Sequence, residues 1–231
     1  MRTMETEKTR PDPAHQETAR FRSGVYFLLA RVFRKEPDAE LIRLGRDPKF
    51  QEALSELGAP LDQDFLTALE ESLIEDLSVE FTRLFIGPGK HISTQESVYA
   101  NQNGGTTGML WGDSTVDVVR FIRSVGLNMK DDLYEIPDHI SVELELMALL
   151  TDREARAWEE NNKEETLNCL KLEKQFFEGH LVYWVPEFCN QVMEEAESSF
   201  YRSMARATAA FIELEGEKIS SLIEETKDAS A

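Results

Sequence analysis

The sequence holds two cysteines in 231 residues, Cys169 and Cys189, and no Cys-x-x-Cys. That excludes disulfide scaffolds, zinc knuckles and thioredoxin-like redox motifs. Bases are also scarce: 25 Lys and Arg stand against 44 Asp and Glu, a net charge of −19. Nucleic acid repels such a surface and gains no counterion release from it. A basic peptide is its natural complement. No apolar run approaches the roughly 20 residues that a membrane-spanning helix needs. Met1 to Gln16 is polar and charged, without the apolar stretch of a secretory signal. These absences together predict a cytoplasmic protein with both thiols buried and reduced.

Catalytic signatures are missing too. The sequence contains no Gly-x-x-x-x-Gly-Lys-Ser/Thr, no Gly-x-Ser-x-Gly and no His-Glu-x-x-His. It also lacks Glu-x-x-His, the repeat that carboxylate-rich bundles use to hold paired metals. His139 and Glu143 stand at i, i+4 and can share a helix face, but two groups do not make a metal site. The expected complement of metals, cofactors and catalytic residues is therefore none. One alternative stays open. Gly104-Gly105-Thr106-Thr107-Gly108 looks like a phosphate loop, although it follows no strand and lacks a lysine. On that reading the chain is a nucleotide- or metal-dependent helical enzyme using residues 104–108.

What is present is helical periodicity. Phe21, Val25, Leu28, Leu29 and Val32 fall on one helix face, and Pro37 stops that helix. Leu41 to Leu57 reads as one or two short helices, with Asp47 capping Pro48. Phe65, Leu69, Leu73, Leu77, Phe81 and Leu84 form the stripe of one longer helix from Asp64 to Phe85. Six of the twelve glycines then fall between Gly87 and Gly112, where periodicity vanishes. Asp113 opens a helix that Gly126 ends. Pro137 opens another, with Asp138 in its first turn, and Ile140 to Trp158 is apolar nearly all round, as a central helix should be. A helix over 164–179, a segment reaching Met193 with Pro186 ending a turn, and a last stripe from Phe200 to Leu214 complete the chain. No alternating strand pattern appears. The expectation is an all-α, single-domain helical bundle over residues 14–226. A disordered tail is expected at 1–13 and a frayed one at 227–231, with a hinge near the Gly-rich loop or near 131–137.

Several motifs stand out against this background. They are Phe81-Thr-Arg-Leu-Phe-Ile-Gly-Pro88, Glu96-Ser-Val-Tyr99, Trp111-Gly-Asp-Ser-Thr115, Ile136-Pro-Asp-His-Ile-Ser-Val-Glu143 and Phe176-Phe-Glu-Gly-His-Leu-Val-Tyr-Trp-Val-Pro-Glu-Phe188. Between Asp131 and Asp152 there are seven carboxylates and no Lys or Arg. Carboxylates at a groove can pair with guanidinium groups in a two-pronged geometry. The plainer reading makes Asp138 a helix cap and His139 and His180 structural. The aromatics, taken singly, read as core.

In order and spacing the motifs resemble the TorD/DmsD/NarJ family, chaperones that mature molybdenum-containing redox enzymes. The resemblance implies the TorD-like helical fold and a partner class. The partners are the apo catalytic subunit of a molybdopterin oxidoreductase and its twin-arginine signal peptide, bound by a monomer that can form a helix-swapped homodimer. It also implies a peptide-binding region at Glu135, Pro137, Asp138 and His139, flanked by Phe81, Phe85, Tyr99, Trp111, His180 and Trp184. Gly89 replaces a bulky family position after Gly-Pro, and Thr94-Gln95 replace a second proline.

Overall fold

A computed structural model describes residues 13–99, 112–127 and 136–228. Eleven helices account for most of them, and the described residues contain one isolated β-bridge, Gln95 to His139, and no strand. The long helices are α1 (Pro13–Arg34), α8 (Ile140–Glu159), α9 (Lys163–Phe176), α10 (Val182–Glu195) and α11 (Ser199–Asp228). Between α1 and α8 lie α2 (Ala39–Gly45), α3 (Pro48–Glu56), α4 (Gln63–Thr67), α5 (Glu70–Phe81), α6 (Glu96–Tyr99) and α7 (Asp113–Ser124). The fold is all-α, as the periodicity predicts. Asp47 caps α3 with Pro48 in its first turn, and Gly126, at φ 78°, follows α7 in the left-handed region that favours glycine.

The single helix expected from Asp64 to Phe85 is instead three pieces. Leu69 is extended and 81% exposed, so the apolar stripe breaks there. Arg46 makes the break tolerable: its guanidinium donates to the carbonyls of Phe65 (2.9 Å) and Ala68 (2.6 Å), which would otherwise lack partners at a helix end. Beyond α5 a π-turn spans Thr82–Ile86, closed by Gly87 N–H on Thr82 O at 2.6 Å. A second π-turn, Phe177–Leu181, joins α9 to α10. Pro186 does not end a turn; it lies inside α10. The wide turn just before α10 already interrupts the regular ladder, so the missing proline N–H costs less there.

The Arg22 guanidinium ties α1 to three other long helices. It donates to Glu154 (2.7 Å), Glu173 (2.7 Å) and Glu215 (2.9 Å), all buried. Tyr26 and Trp158 donate to two of the same carboxylates. Burial pushes Glu173 up to about 8, against the opposing pull of Arg22.

Gly45 sits under Phe65, whose ring is stacked on Phe200 at 5.5 Å. A Cβ at Gly45 would come within 2.7 Å of that ring. Helix propensity favours Ala over Gly by about 1 kcal/mol. Overpacking costs about 1–3 kcal/mol, so the clash should win. Gly45→Ala is expected to lower the urea midpoint; an unchanged or raised midpoint would show that Phe65 can move aside.

Candidate functional site

The motifs singled out in the sequence converge on one buried polar knot. Residues Ile92 to Tyr99 cross the start of α8. Ile92 N–H reaches Leu84 O at 2.7 Å, Ile140 N–H reaches Thr94 O at 2.8 Å, and Glu96 N–H reaches Asp138 O at 2.9 Å. Asp138 precedes α8 rather than lying in its first turn. It is 0% exposed, and Oδ2 accepts the Ser97 N–H at 2.9 Å. His139 is the cap: Nδ1 accepts from Ser141 N–H at 3.1 Å, with Ser141 Oγ at 2.8 Å. Burial, aided by the nearby Arg34 guanidinium, pushes His139 down to about 4, so its ring is neutral near neutral pH.

One turn into α8, Glu143 is fully buried, and Oε2 accepts the Trp184 indole N–H at 3.0 Å. Burial raises Glu143 well above the usual carboxylate range, and the Glu96 charge adds to that. Glu96 Oε2 meets His180 Nδ1 at 2.9 Å, and the His180 ring stacks on Phe176 at 4.6 Å. Trp184 packs between Tyr99 (5.3 Å) and Phe188 (5.8 Å). Phe81 and Phe85 touch edge to face at 5.1 Å, and Phe85 reaches Phe188 at 6.1 Å. The Tyr99 hydroxyl donates to Ser93 O at 2.9 Å.

Eight of the ten nominated residues are thus described: Phe81, Phe85, Tyr99, Pro137, Asp138, His180 and Trp184 are buried, and His139 is half-buried. Trp111 and Glu135 lie outside the described residues, as do Gly104 to Gly108. In this conformation Asp138 presents no carboxylate to solvent. His180 and Trp184 do not stack on each other; each meets a different buried acid. Glu96 and Glu143 were not nominated from sequence. The signal was there, because Glu96 opens the Glu-Ser-Val-Tyr motif and Glu143 follows His139 by one turn.

Open surface lies elsewhere. A groove of about 530 Å³ runs between α4, α5 and the turn before α11. Phe65, Ala68, Leu73, Leu77 and Val79 give it an apolar floor. Asp62, Asp64, Asp76, Glu80 and Glu197 rim it, with Arg83 the lone base lining it. Glu80 is occupied by the backbone N–H groups of Glu197 (2.5 Å) and Ser198 (3.1 Å), and Asp62 by that of Phe65 (2.9 Å). Asp64 and Asp76 form no ion pair with any described residue. Val79 is 71% exposed.

Comparison with known proteins identifies what this architecture is. Residues 46–190 match the family described as nitrate reductase delta subunit. The chain belongs to that family. Among curated relatives, the chaperone protein TorD of Vibrio atlanticus is 28% identical, the match covering 84% of this chain and 92% of that protein. TorD of Shewanella pealeana is 24% identical, covering 94% and 96%. A solved structure of a redox enzyme maturation protein from Archaeoglobus fulgidus is 24% identical over 84% of this chain and 94% of its own, with a TM-score of 0.48. The curated relatives are named as chaperones, a non-enzymatic role, so the chain is a TorD-like chaperone and not an enzyme. The enzyme alternative gives way to that relationship. No helix among the described residues is long and apolar enough to cross a membrane.

Proposed function

We propose that this TorD-like chaperone binds the precursor of a molybdopterin oxidoreductase in the cytoplasm. It holds the apo catalytic subunit and its twin-arginine signal peptide, and it assists cofactor insertion before export or assembly. The observation that carries this reading is the groove beside α5, where an apolar floor lies next to Asp64 and Asp76, two carboxylates that no described base engages, while Arg83 pairs with Glu80 and Glu197. A twin-arginine signal has the complementary pattern, adjacent arginines followed by an apolar stretch. Guanidinium groups suit carboxylates better than ammonium groups do, because two N–H donors can engage both oxygens.

The magnitudes are compatible. A micromolar complex needs about 8 kcal/mol, and two charge-assisted pairs contribute about 1.5–3 kcal/mol each. The remaining roughly 2–5 kcal/mol, together with the cost of association itself, must come from apolar burial. The Asp138 knot has a different part in this reading. It holds residues 92–99 against α8 and α10, and so fixes the frame that positions α5. Pro137, His139, Phe81, Phe85, Tyr99, His180 and Trp184 belong to that frame.

The test is a titration of the purified chaperone with a signal peptide carrying two arginines, and with the same peptide carrying two lysines. The arginine peptide should bind more tightly, and both should weaken as salt rises. Equal binding of the two, insensitive to salt, would reject the reading. We also propose that the chain is a monomer able to exchange helices into a homodimer, because a second copy can supply the same helix contacts. Size-exclusion chromatography should show two interconverting species; a single higher oligomer at every concentration would argue against it.

A further inference from the structure

The knot contains more buried carboxylate than its donors can neutralise. Trp184 N–H holds Glu143 Oε2, but Glu143 Oε1 has no hydrogen-bond donor. Ser97 N–H holds Asp138 Oδ2, but Asp138 Oδ1 has none. Glu96, Asp138 and Glu143 are all buried, and His180 is the lone imidazole bonded among them. A buried, uncompensated charge is among the costliest features a fold can carry. A proton or a cation must balance this one.

The geometry favours a cation. One ligand atom each from Glu96, Glu143 and His180 lies within 4.8 Å of the others. Bonds of about 2.0–2.2 Å to a four-coordinate ion set its ligand atoms roughly 3.4 Å apart, so the three side chains would draw slightly inward on loading. The surroundings also suit a metal. The Trp184 N–H orients the Glu143 carboxylate, and the Phe176 ring fixes the His180 plane, as outer contacts do around metal ligands.

We propose that Glu96, Glu143 and His180 form a three-ligand site for a divalent first-row transition ion of the Zn²⁺ class, with the fourth position left to water. The nitrogen donor and the burial exclude Mg²⁺ and Ca²⁺, which want all-oxygen shells of six or more ligands and usually retain water. The ion staples three segments that are distant in sequence: the crossing at 92–99, the start of α8 and the π-turn before α10. Ligation through Nδ1 exchanges the His180–Glu96 hydrogen bond for two bonds to the ion. This inference stands apart from the client reading.

Elemental analysis of the purified full-length chain tests it first, followed by calorimetric titration of chelator-treated protein with Zn²⁺, Mg²⁺ and Ca²⁺. We expect one zinc per chain. The melting temperature should rise by roughly 5–10 °C at a hundredfold excess over Kd, with no response to Mg²⁺ or Ca²⁺. Glu143→Gln keeps the side-chain shape and the acceptor for Trp184, and it should weaken zinc at least a hundredfold while remaining folded. Failure of wild-type protein to retain or bind zinc would overturn the site. So would zinc binding unchanged in Glu143→Gln, which would place the ion on surface acids. If Glu143→Gln does not fold, the wild-type stoichiometry and His180→Gln decide the matter in the same way.

Discussion

Arg22→Ala is expected to cost at least about 3–5 kcal/mol of stability, because it strips the cation from three buried carboxylates. A domain of ordinary stability has only about 5–15 kcal/mol in total, so the variant should sit near the edge of folding. The loss should depend on pH. Glu173 is held at about 8 in the folded chain, far above its value when unfolded. The folded state therefore keeps a proton that the unfolded state gives up. The stability this group contributes is fully present below about pH 4.5 and is lost as pH climbs through 8. Glu154 is raised in the same direction by burial. Removing Arg22 raises both acids further, so the deficit of the variant should be smallest near pH 5 and largest near pH 9. Urea melts across that range measure it. A deficit that is constant with pH would mean that the carboxylates are not the cause.

A related expectation follows for the native chain. Its stability should decline between pH 5 and 8, and Glu173→Gln should flatten the decline. Glu173 Oε1 has no donor, so the amide removes a charge without breaking a bond to that oxygen. Arg22 then keeps Glu154 and Glu215 as full partners, and the Tyr26 hydroxyl still donates to Glu215. A pH profile that Glu173→Gln leaves unaltered would show that another group governs it.

Which parts of this molecule are legible in its sequence depends on the range of the interactions concerned. Helix faces repeat locally, so the stripe in α1, the Asp47-Pro48 start of α3 and the glycine after α7 can all be read from neighbouring residues. The break at Ala68-Leu69 cannot, because Arg46 supplies its compensation from another helix. The Pro-Asp-His and His-x-x-x-Trp motifs were recognisable as a family pattern, but their arrangement was not. Asp138 as an exposed acid and Asp138 as a buried anchor have the same sequence. Only the crossing of residues 92–99 over α8 distinguishes them, and that crossing is made by backbone bonds between positions some forty residues apart, such as Glu96 to Asp138. Glu96, Glu143 and His180 each fall in a recognisable motif, but their meeting is set by the same long-range crossing. Periodicity search pairs Glu143 with His139 on its own helix, whereas the fold pairs it with a loop and with the turn before α10. The groove acids Asp64 and Asp76 carry no motif at all; their significance comes from lacking ion-pair partners among the described residues beside an apolar floor.

Charge reversal at that groove should give the largest effect on function. Asp64→Lys with Asp76→Lys replaces two acids that no described base engages, so little folded structure should be disturbed. Each lost arginine pair is worth about 1.5–3 kcal/mol, and every 1.4 kcal/mol is tenfold in affinity, so the double variant should bind the twin-arginine peptide at least a hundredfold more weakly. Like-charge repulsion adds to that loss at low salt and should fade as salt rises. Asp138→Asn supplies the contrast. It weakens a bond that anchors the Ser97 backbone, and a buried bond left imperfect costs about 1–3 kcal/mol of stability. Its melting temperature should fall while affinity per folded molecule stays within about twofold. The two variants thus separate a surface that touches the client from a frame that holds the surface in place. Normal peptide affinity in the groove variant, together with a specific loss in Asp138→Asn at unchanged melting, would transfer the binding site from the groove to the knot. The family relationship would still stand, but client entry would then require residues 92–99 to lift away from α8.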